Sequence, residues 1–258
     1  MGAFQGGQDV GAEALAAFFA RTPRLAVAFS GGCDSSYLVA AALRAGVGVR
    51  AYLVRTAFQL PCEVADAERL ARERGLALAI VDADVLAEDA VCANPPERCY
   101  LCKSFIFSTI LASMEADGWG GAPLADGTNA SDDPARRPGF RALAELGVTS
   151  PLRRAGMTKD DVRAASRELG LFTANKPSFS CLAVHATPGE RITAASLLAA
   201  ARSPEVTARL IARNAATGDE LDTVFSADGV LAHLVDGGRS LLESPTCEEG
   251  AGQAEGSR

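Results

Sequence analysis

Basic residues are in short supply. The 25 Lys and Arg stand against 32 Asp and Glu, a formal charge of −7, which works against a strong electrostatic grip on nucleic acid. No apolar run approaches the roughly 20 residues that a membrane-spanning helix needs. The opening MGAFQGGQDVGAEALAAFFA lacks the basic start of a signal peptide. It also lacks Ser or Thr at the sixth position, which argues against myristoylation. The chain is therefore expected to be cytoplasmic and free of membrane. Histidine is nearly absent, with His185 and His233 the two in the chain, so a Cys2His2 zinc motif is not evident. The nucleotide pattern GxxxxGK[ST] is missing. Gly46-Val47-Gly48-Val49-Arg50-Ala51 fits GxGxxA, but it precedes a strand instead of opening a helix and is rejected as a dinucleotide fingerprint. Aromatic residues make up 6% of the chain, leaving a core of Ala, Val and Leu that suits an α/β protein with closely packed helices.

What is present alternates between strands and helices. Leu25 to Phe29, Val49 to Val54, Leu76 to Val81 and the short Pro123 to Ala125 read as strands. Helices are predicted from Ser35 to about Arg44, Glu63 to Arg74 (ended by Gly75), Tyr100 to Met114, Phe140 to Leu146 and Thr158 to Leu169. Thr158 with Asp161 fits a capping box. The alternation predicts a doubly wound parallel sheet over residues 1–187. A small C-terminal region follows at 188–243, with an Ala-rich helix from Thr193 to Arg213 and a β-hairpin within Asp219 to Leu242. The Glu/Gly/Ser-rich stretch 244–258 reads as a disordered tail.

The sharpest local signal is Ala28-Phe29-Ser30-Gly31-Gly32-Cys33-Asp34-Ser35-Ser36, between the first strand and the first helix after it. Two glycines let the backbone bend tightly and approach an anion. The Ser hydroxyls and the free N–H groups at the helix start then bind phosphate oxygens, assisted by the helix dipole. Asp34 supplies a hard oxygen suited to Mg2+. The motif resembles the SGGxDS loop of the PP-loop ATP-pyrophosphatases, which split ATP between its α and β phosphates and hold pyrophosphate in the loop.

Seven cysteines, an odd number, argue against a disulfide framework and point clustered thiols toward metal or catalytic roles. Asn94-Pro95-Pro96-Glu97-Arg98-Cys99-Tyr100-Leu101-Cys102-Lys103 sets two thiols three residues apart at a helix start, where the dipole and the neighbouring Arg98 and Lys103 favour thiolate. Such a pair serves as a redox couple, half a zinc site or two ligands of an iron–sulfur cluster. A third thiol, Cys181, lies in Lys176-Pro177-Ser178-Phe179-Ser180-Cys181, and three thiolates leave one iron of a [4Fe–4S] cluster open. Cys33, Cys62, Cys92 and Cys247 read as structural or incidental, Cys33 being of interest because it lies in the loop.

Several blocks together resemble LarE-type sulfur transferases: AFSGGCDSSYL, NPPERCYLCK, LADGTNASDDPARRPGFRALAELGVTSPL, TKDDVRAASRELGL and NKPSFSCLA. They run in family order from Ala28 to Ala183. The resemblance implies an adenine nucleotide alpha hydrolase-like fold and an ATP-dependent sulfur transfer. In it, carboxylates of pyridinium-3,5-biscarboxylic acid mononucleotide are adenylated and converted to thiocarboxylates, releasing AMP and pyrophosphate. ATP and pyrophosphate would lie on Ser30, Gly31, Gly32, Asp34, Ser35, Ser36 and the Asp126-Gly127-Thr128-Asn129 block, with Mg2+. Cys181, Asp34 and Lys103 would be the catalytic set, and Arg98 and Lys176 would meet substrate phosphate or carboxylate. Family members draw sulfur either from a single Cys at the position of Cys181 or from a [4Fe–4S] cluster. The presence of Cys99, Cys102 and Cys181 implies the cluster type. A small-molecule carboxylate, a sulfur donor such as a cysteine desulfurase and further copies of the chain are the implied partners. The sequence departs from the family at Val184-His185, where Ser-Arg is common, and at Ala174, commonly aromatic. Arg209 and Arg213 stand as candidate remnants of an Arg-rich C-terminal stretch. The competing readings are another PP-loop thiolation enzyme acting on a different small molecule or on tRNA, a PP-loop amidation enzyme, and a non-catalytic nucleotide- or cluster-binding scaffold.

Overall fold

A computed structural model describes residues 5–136 and 138–219. In chain order the elements are α1 (Gln5–Ala20), β1 (Arg24–Ala28), α2 (Cys33–Arg44), β2 (Gly48–Arg55), α3 (Pro61–Arg74), β3 (Ala77–Asp82), α4 (Asp89–Cys92), α5 (Arg98–Ala116), β4 (Leu124–Ala125), α6 (Gly139–Glu145), α7 (Pro151–Arg154), α8 (Lys159–Glu168), α9 (Ala194–Ala201) and α10 (Pro204–Thr217). The four strands form one parallel sheet in the order β3-β2-β1-β4. This is the α/β doubly wound class that the alternating pattern predicts.

Both faces of the sheet are covered, and the period-two alternation of the strands explains how. Leu25, Val27, Ala51 and Leu53 join a buried cluster with Leu38 and Val39 of α2, Val64 and Leu70 of α3, and Leu15 and Phe19 of α1. The intervening Ala26, Tyr52 and Val54 pack on the opposite face with Phe107, Ile110 and Met114 of α5. Successive strand side chains point to opposite faces, so these short runs must be apolar throughout. A third cluster joins Phe58, Leu60 and Val85 to Leu182, Ile192, Leu197, Val206 and Leu210. The described stretch after residue 187 therefore shares a buried cluster with the segments beside β2 and β3.

The order matters for function. From β1 the chain moves one way through β2 and β3, then returns to pair β4 on the other side of β1. A crevice opens beyond the carboxyl ends of β1 and β4 at such a switch point. It is edged by residues 29–32 and by the turn that starts at Asp126.

Several boundaries differ from expectation. Helix α5 starts at Arg98, not Tyr100, so both thiols of the CxxC pair fall in its first turns. The Ala-rich helix expected over Thr193 to Arg213 is two helices. Pro204 lacks the N–H that a continuing helix requires, and Ser203 caps the new start by accepting from the Val206 N–H at 3.3 Å. The capping box at Thr158 and Asp161 is present. The sequence pattern assigned no element to α1, whose Gly6, Gly7 and Gly11 obscure its periodicity. The hairpin expected after Asp219 and the tail at 244–258 lie outside the described residues. Among those residues no helix is long and apolar enough to cross a membrane.

Leu25 is fully buried at the centre of the sheet. Replacing it with Ala should lower unfolding free energy by about 2–5 kcal/mol, read from urea denaturation. A loss below about 1 kcal/mol would show that β1 is not the packed centre.

Candidate active site

The loop after β1 is bent at Gly31, whose φ of +66° lies in the left-handed region. A Cβ there would sit 2.8 Å from the Ala67 nitrogen and 2.9 Å from the Glu63 carbonyl oxygen of α3, so only glycine fits. The turn is closed from within by serines. The Ser30 and Ser35 hydroxyl oxygens lie 3.2 Å apart, and Ser35 Oγ donates to the Gly32 carbonyl at 3.3 Å. Ser36 is buried at the start of α2, and its hydroxyl has no hydrogen-bond partner among the described residues.

The Asp126-Gly127-Thr128-Asn129 turn at the end of β4 reaches the same helix start. Gly127 makes this possible, because a Cβ on it would lie 2.8 Å from the Ser35 nitrogen. Asp126 is fixed by Ser150 Oγ at 2.6 Å and by the Thr128 hydroxyl. Asn129 donates from Nδ2 to Asp34 Oδ1 at 3.3 Å, while Lys159 Nζ pairs with Asp34 Oδ2 at 2.6 Å. A cavity of about 550 Å³ opens between these segments. Ser30, Gly32, Asp34 and Ser35 line one side of it, the 126–129 turn another, and Lys103 a third. Tyr52, Val54, Ile106 and Phe107 give it an apolar wall, and Ser178 and Phe179 reach it from the segment that carries Cys181.

The three cysteines lie near one another on the segments that carry Lys103 and Phe179 to this cavity, and none of them lines it. Cys99 is exposed, and Cys102 and Cys181 are half-buried. Arg98 ties the two segments together, its Nη1 donating to the Asn94 side chain at 2.6 Å and to the Ala183 carbonyl at 2.7 Å. Burial pushes the Cys102 thiol up to about 12, with Cys181 and Cys99 adding to the rise and Lys103 and Arg98 opposing it. Burial likewise raises Cys181, with Arg98 opposing and Cys99 adding. The three sulfurs thus lie within each other's electrostatic reach. The expectation that the helix start favours thiolate fails for Cys102, because loss of hydration outweighs the dipole and nearby cations. Among the described residues, no three His, Cys, Asp or Glu side chains are arranged around a single metal-ion position.

Two expected substrate cations sit elsewhere. Lys176 is 2% exposed, its ammonium pairing with Asp66 at 2.5 Å and donating to the Gly31 carbonyl at 3.1 Å behind the loop. Arg98 spends one guanidinium nitrogen on the tie just described. Lys103 alone of the three lines the cavity, its side chain running over Phe107 and against Gly139. The residue that sequence reasoning missed is Lys159. Its signal was available, since it follows the Thr158 cap directly and so starts a helix near the crevice.

Comparison with known proteins gives a consistent family. The chain is 36% identical over 187 residues to an uncharacterized protein of Synechocystis sp., covering 72% of this chain and 69% of that one. The chain belongs to the same family as that protein. It is 35% identical over 155 residues to the pyridinium-3,5-bisthiocarboxylic acid mononucleotide synthase of Lactiplantibacillus plantarum, 59% of this chain and 55% of the relative. An uncharacterized protein of Methanocaldococcus jannaschii is 28% identical over 162 residues, 63% of this chain and 60% of the relative. The chain spans between 55% and 69% of the length of these relatives. No family model matches it.

Thiol burial makes a prediction for the metal-free protein. Near about pH 8, iodoacetamide should label exposed Cys99 before half-buried Cys102. Because a thiol raised to about 12 is protonated at neutral pH, Cys102 labelling should climb about tenfold per pH unit up to about pH 11. Peptide mass spectrometry reads both, and a Cys102 that reacts as fast as Cys99 would contradict the burial.

Proposed function

We propose that the chain is an ATP-dependent sulfurtransferase that adenylates a small-molecule carboxylate and replaces its oxygen with sulfur. The acid is pyridinium-3,5-biscarboxylic acid mononucleotide or a close relative. One observation carries the reading: a glycine-bent anion loop and the segment bearing Cys181 border the same cavity, with two further thiols alongside. The named relative from Lactiplantibacillus plantarum supports the choice of acid.

A carboxylate is a poor acyl donor because its oxygen is a poor leaving group. In the proposed reaction a carboxylate oxygen attacks the α-phosphorus of ATP, the bond to the β-phosphate breaks, and pyrophosphate departs. The loop N–H groups and Lys159 offset the charge that builds on it. The apolar wall at Tyr52 and Val54 suits the base of the nucleotide. Asp34 presents a carboxylate for Mg2+, which would neutralise phosphate charge when bound. Lys103 faces the acid. A sulfur nucleophile then attacks the acyl carbon and AMP leaves with the original oxygen.

The donor set suits a [4Fe–4S] cluster. Three thiols from two segments, within each other's electrostatic reach, give the number of ligands that three-cysteine ligation with one iron left open requires. Cys99, Cys102 and Cys181 would hold the cluster, which when bound supplies a soft sulfur ligand at that iron. Metal binding also removes the thiol protons that burial otherwise retains. In the alternative route Cys181 itself gives up its sulfur. The acceptor is open to a second reading, since His185 stands 3.8 Å from Glu205 and Val184 is 47% exposed where the family commonly has Ser-Arg. That change favours another small acid over tRNA, given the charge of −7.

Anaerobic purification with iron and sulfide analysis should give about four of each per chain, and Cys181→Ala should lose most of both while still folding. Iron-free protein that transfers sulfur, with Cys181 losing the mass of one hydrogen sulfide after turnover, would replace the cluster with the sacrificial route. Sulfur transfer that survives Cys181→Ala would overturn both.

A further inference from the structure

Lys176, Asp66 and Arg213 form a buried charge cluster behind the phosphate loop, and none of them lines the cavity. Asp66 of α3 is 1% exposed at its side chain and takes Lys176 at 2.5 Å. Arg213 of α10 grips the same carboxylate with two nitrogens, Nε to Oδ2 at 3.0 Å and Nη2 to Oδ1. Asn214 Oδ1 accepts from the remaining nitrogen, Nη1, at 2.7 Å, and Asp219 also pairs with Nη2 at 2.6 Å. One turn earlier, Arg209 Nη1 donates to the Ser178 carbonyl at 2.9 Å. Helix α10 thus holds the 176–178 stretch at two points, by carbonyl and through Asp66. Arg163 of α8 adds a third hold, donating to the Lys176 carbonyl at 3.0 Å and the Ala174 carbonyl at 2.7 Å.

Burying charges is costly unless each is paired and hydrogen-bonded. Here the buried ammonium, besides its pairing with Asp66, donates to one backbone carbonyl, that of Gly31. That carbonyl belongs to the residue whose left-handed conformation turns the loop, so fixing its direction fixes where the following N–H groups point.

We propose that Lys176 is a positioning residue that sets the anion-binding shape of the phosphate loop, and that α10 holds it in place through Arg213 and Asp66. This rests on the reading of the cavity as an ATP and pyrophosphate site. It assigns Lys176 a place behind the loop instead of on the substrate. It also assigns α10 a part in the activation step. Because Cys181 lies five residues beyond Lys176, the same hold sets loop shape and the approach of the sulfur-bearing segment together.

The test measures binding of two probes by titration calorimetry, pyrophosphate and AMP, each with Mg2+. Lys176→Met should fold, because Asp66 keeps its two bonds from Arg213. It should weaken pyrophosphate about tenfold or more while AMP stays within about threefold. Arg213→Met, which leaves Asp66 paired with Lys176, should shift the same ratio in the same direction by a smaller factor. Leu15→Ala, a core change away from the cavity, should lower thermal stability and leave both affinities unchanged. Pyrophosphate binding equal to wild type in folded Lys176→Met overturns the proposal, as does an equal fall for both probes. Wild-type pyrophosphate affinity in Arg213→Met overturns the part given to α10. A wild type that binds neither probe refutes the nucleotide-site reading itself, and this inference with it.

Discussion

Two glycine contacts govern the arrangement of this molecule. At Gly31 the loop lies against α3 with no room for a Cβ, and at Gly127 the turn after β4 lies equally close to the start of α2. These approaches let three backbone segments converge on one crevice at the point where the sheet changes direction. The Asp34, Asn129 and Lys159 contacts follow from that convergence, as does the cavity. A side chain at either position would part the segments and leave the loop N–H groups without a common focus.

Charge is managed differently on the two sides of the loop. In front, Asp34 and Lys159 pair where water and ligand reach them, so their pairing is exchangeable. Behind, Asp66, Lys176 and Arg213 are sealed from solvent, where removing one partner costs far more than the pair contributes. The front pair is suited to rearrange around phosphate and metal, and the rear cluster is suited to stay fixed. The thiols follow a third regime. Burial holds Cys102 and Cys181 as neutral thiols, a state that ligation or deprotonation must overcome before sulfur chemistry begins.

Much of this was legible in the sequence where the relevant residues are contiguous. The glycine-bent loop and the helix start that follows it lie in one run of nine residues, Ala28 to Ser36, and the parallel sheet follows from the alternation of elements. Contacts between distant segments were not legible. Lys159 meets Asp34 across 125 residues, and Arg213 meets Asp66 across 147. Neither pair leaves a local pattern. Lys176 looked like a substrate cation because a lysine near a reactive cysteine carries no mark of burial, and only the packing of α3 and α10 around it decides the matter. The break at Ser203-Pro204 was readable from proline chemistry, yet the alanine content on both sides masked it. In α1 the opposite held, with glycines hiding a helix that packing of Leu15 and Phe19 stabilises.

In the proposed reaction the crevice splits ATP between its α and β phosphates. The most direct measurement is phosphorus NMR of the purified chain with Mg2+, ATP and pyridinium-3,5-biscarboxylic acid mononucleotide. AMP and pyrophosphate should appear in equal amounts, with both lost in Asp34→Asn. Formation of ADP and inorganic phosphate would contradict the claim.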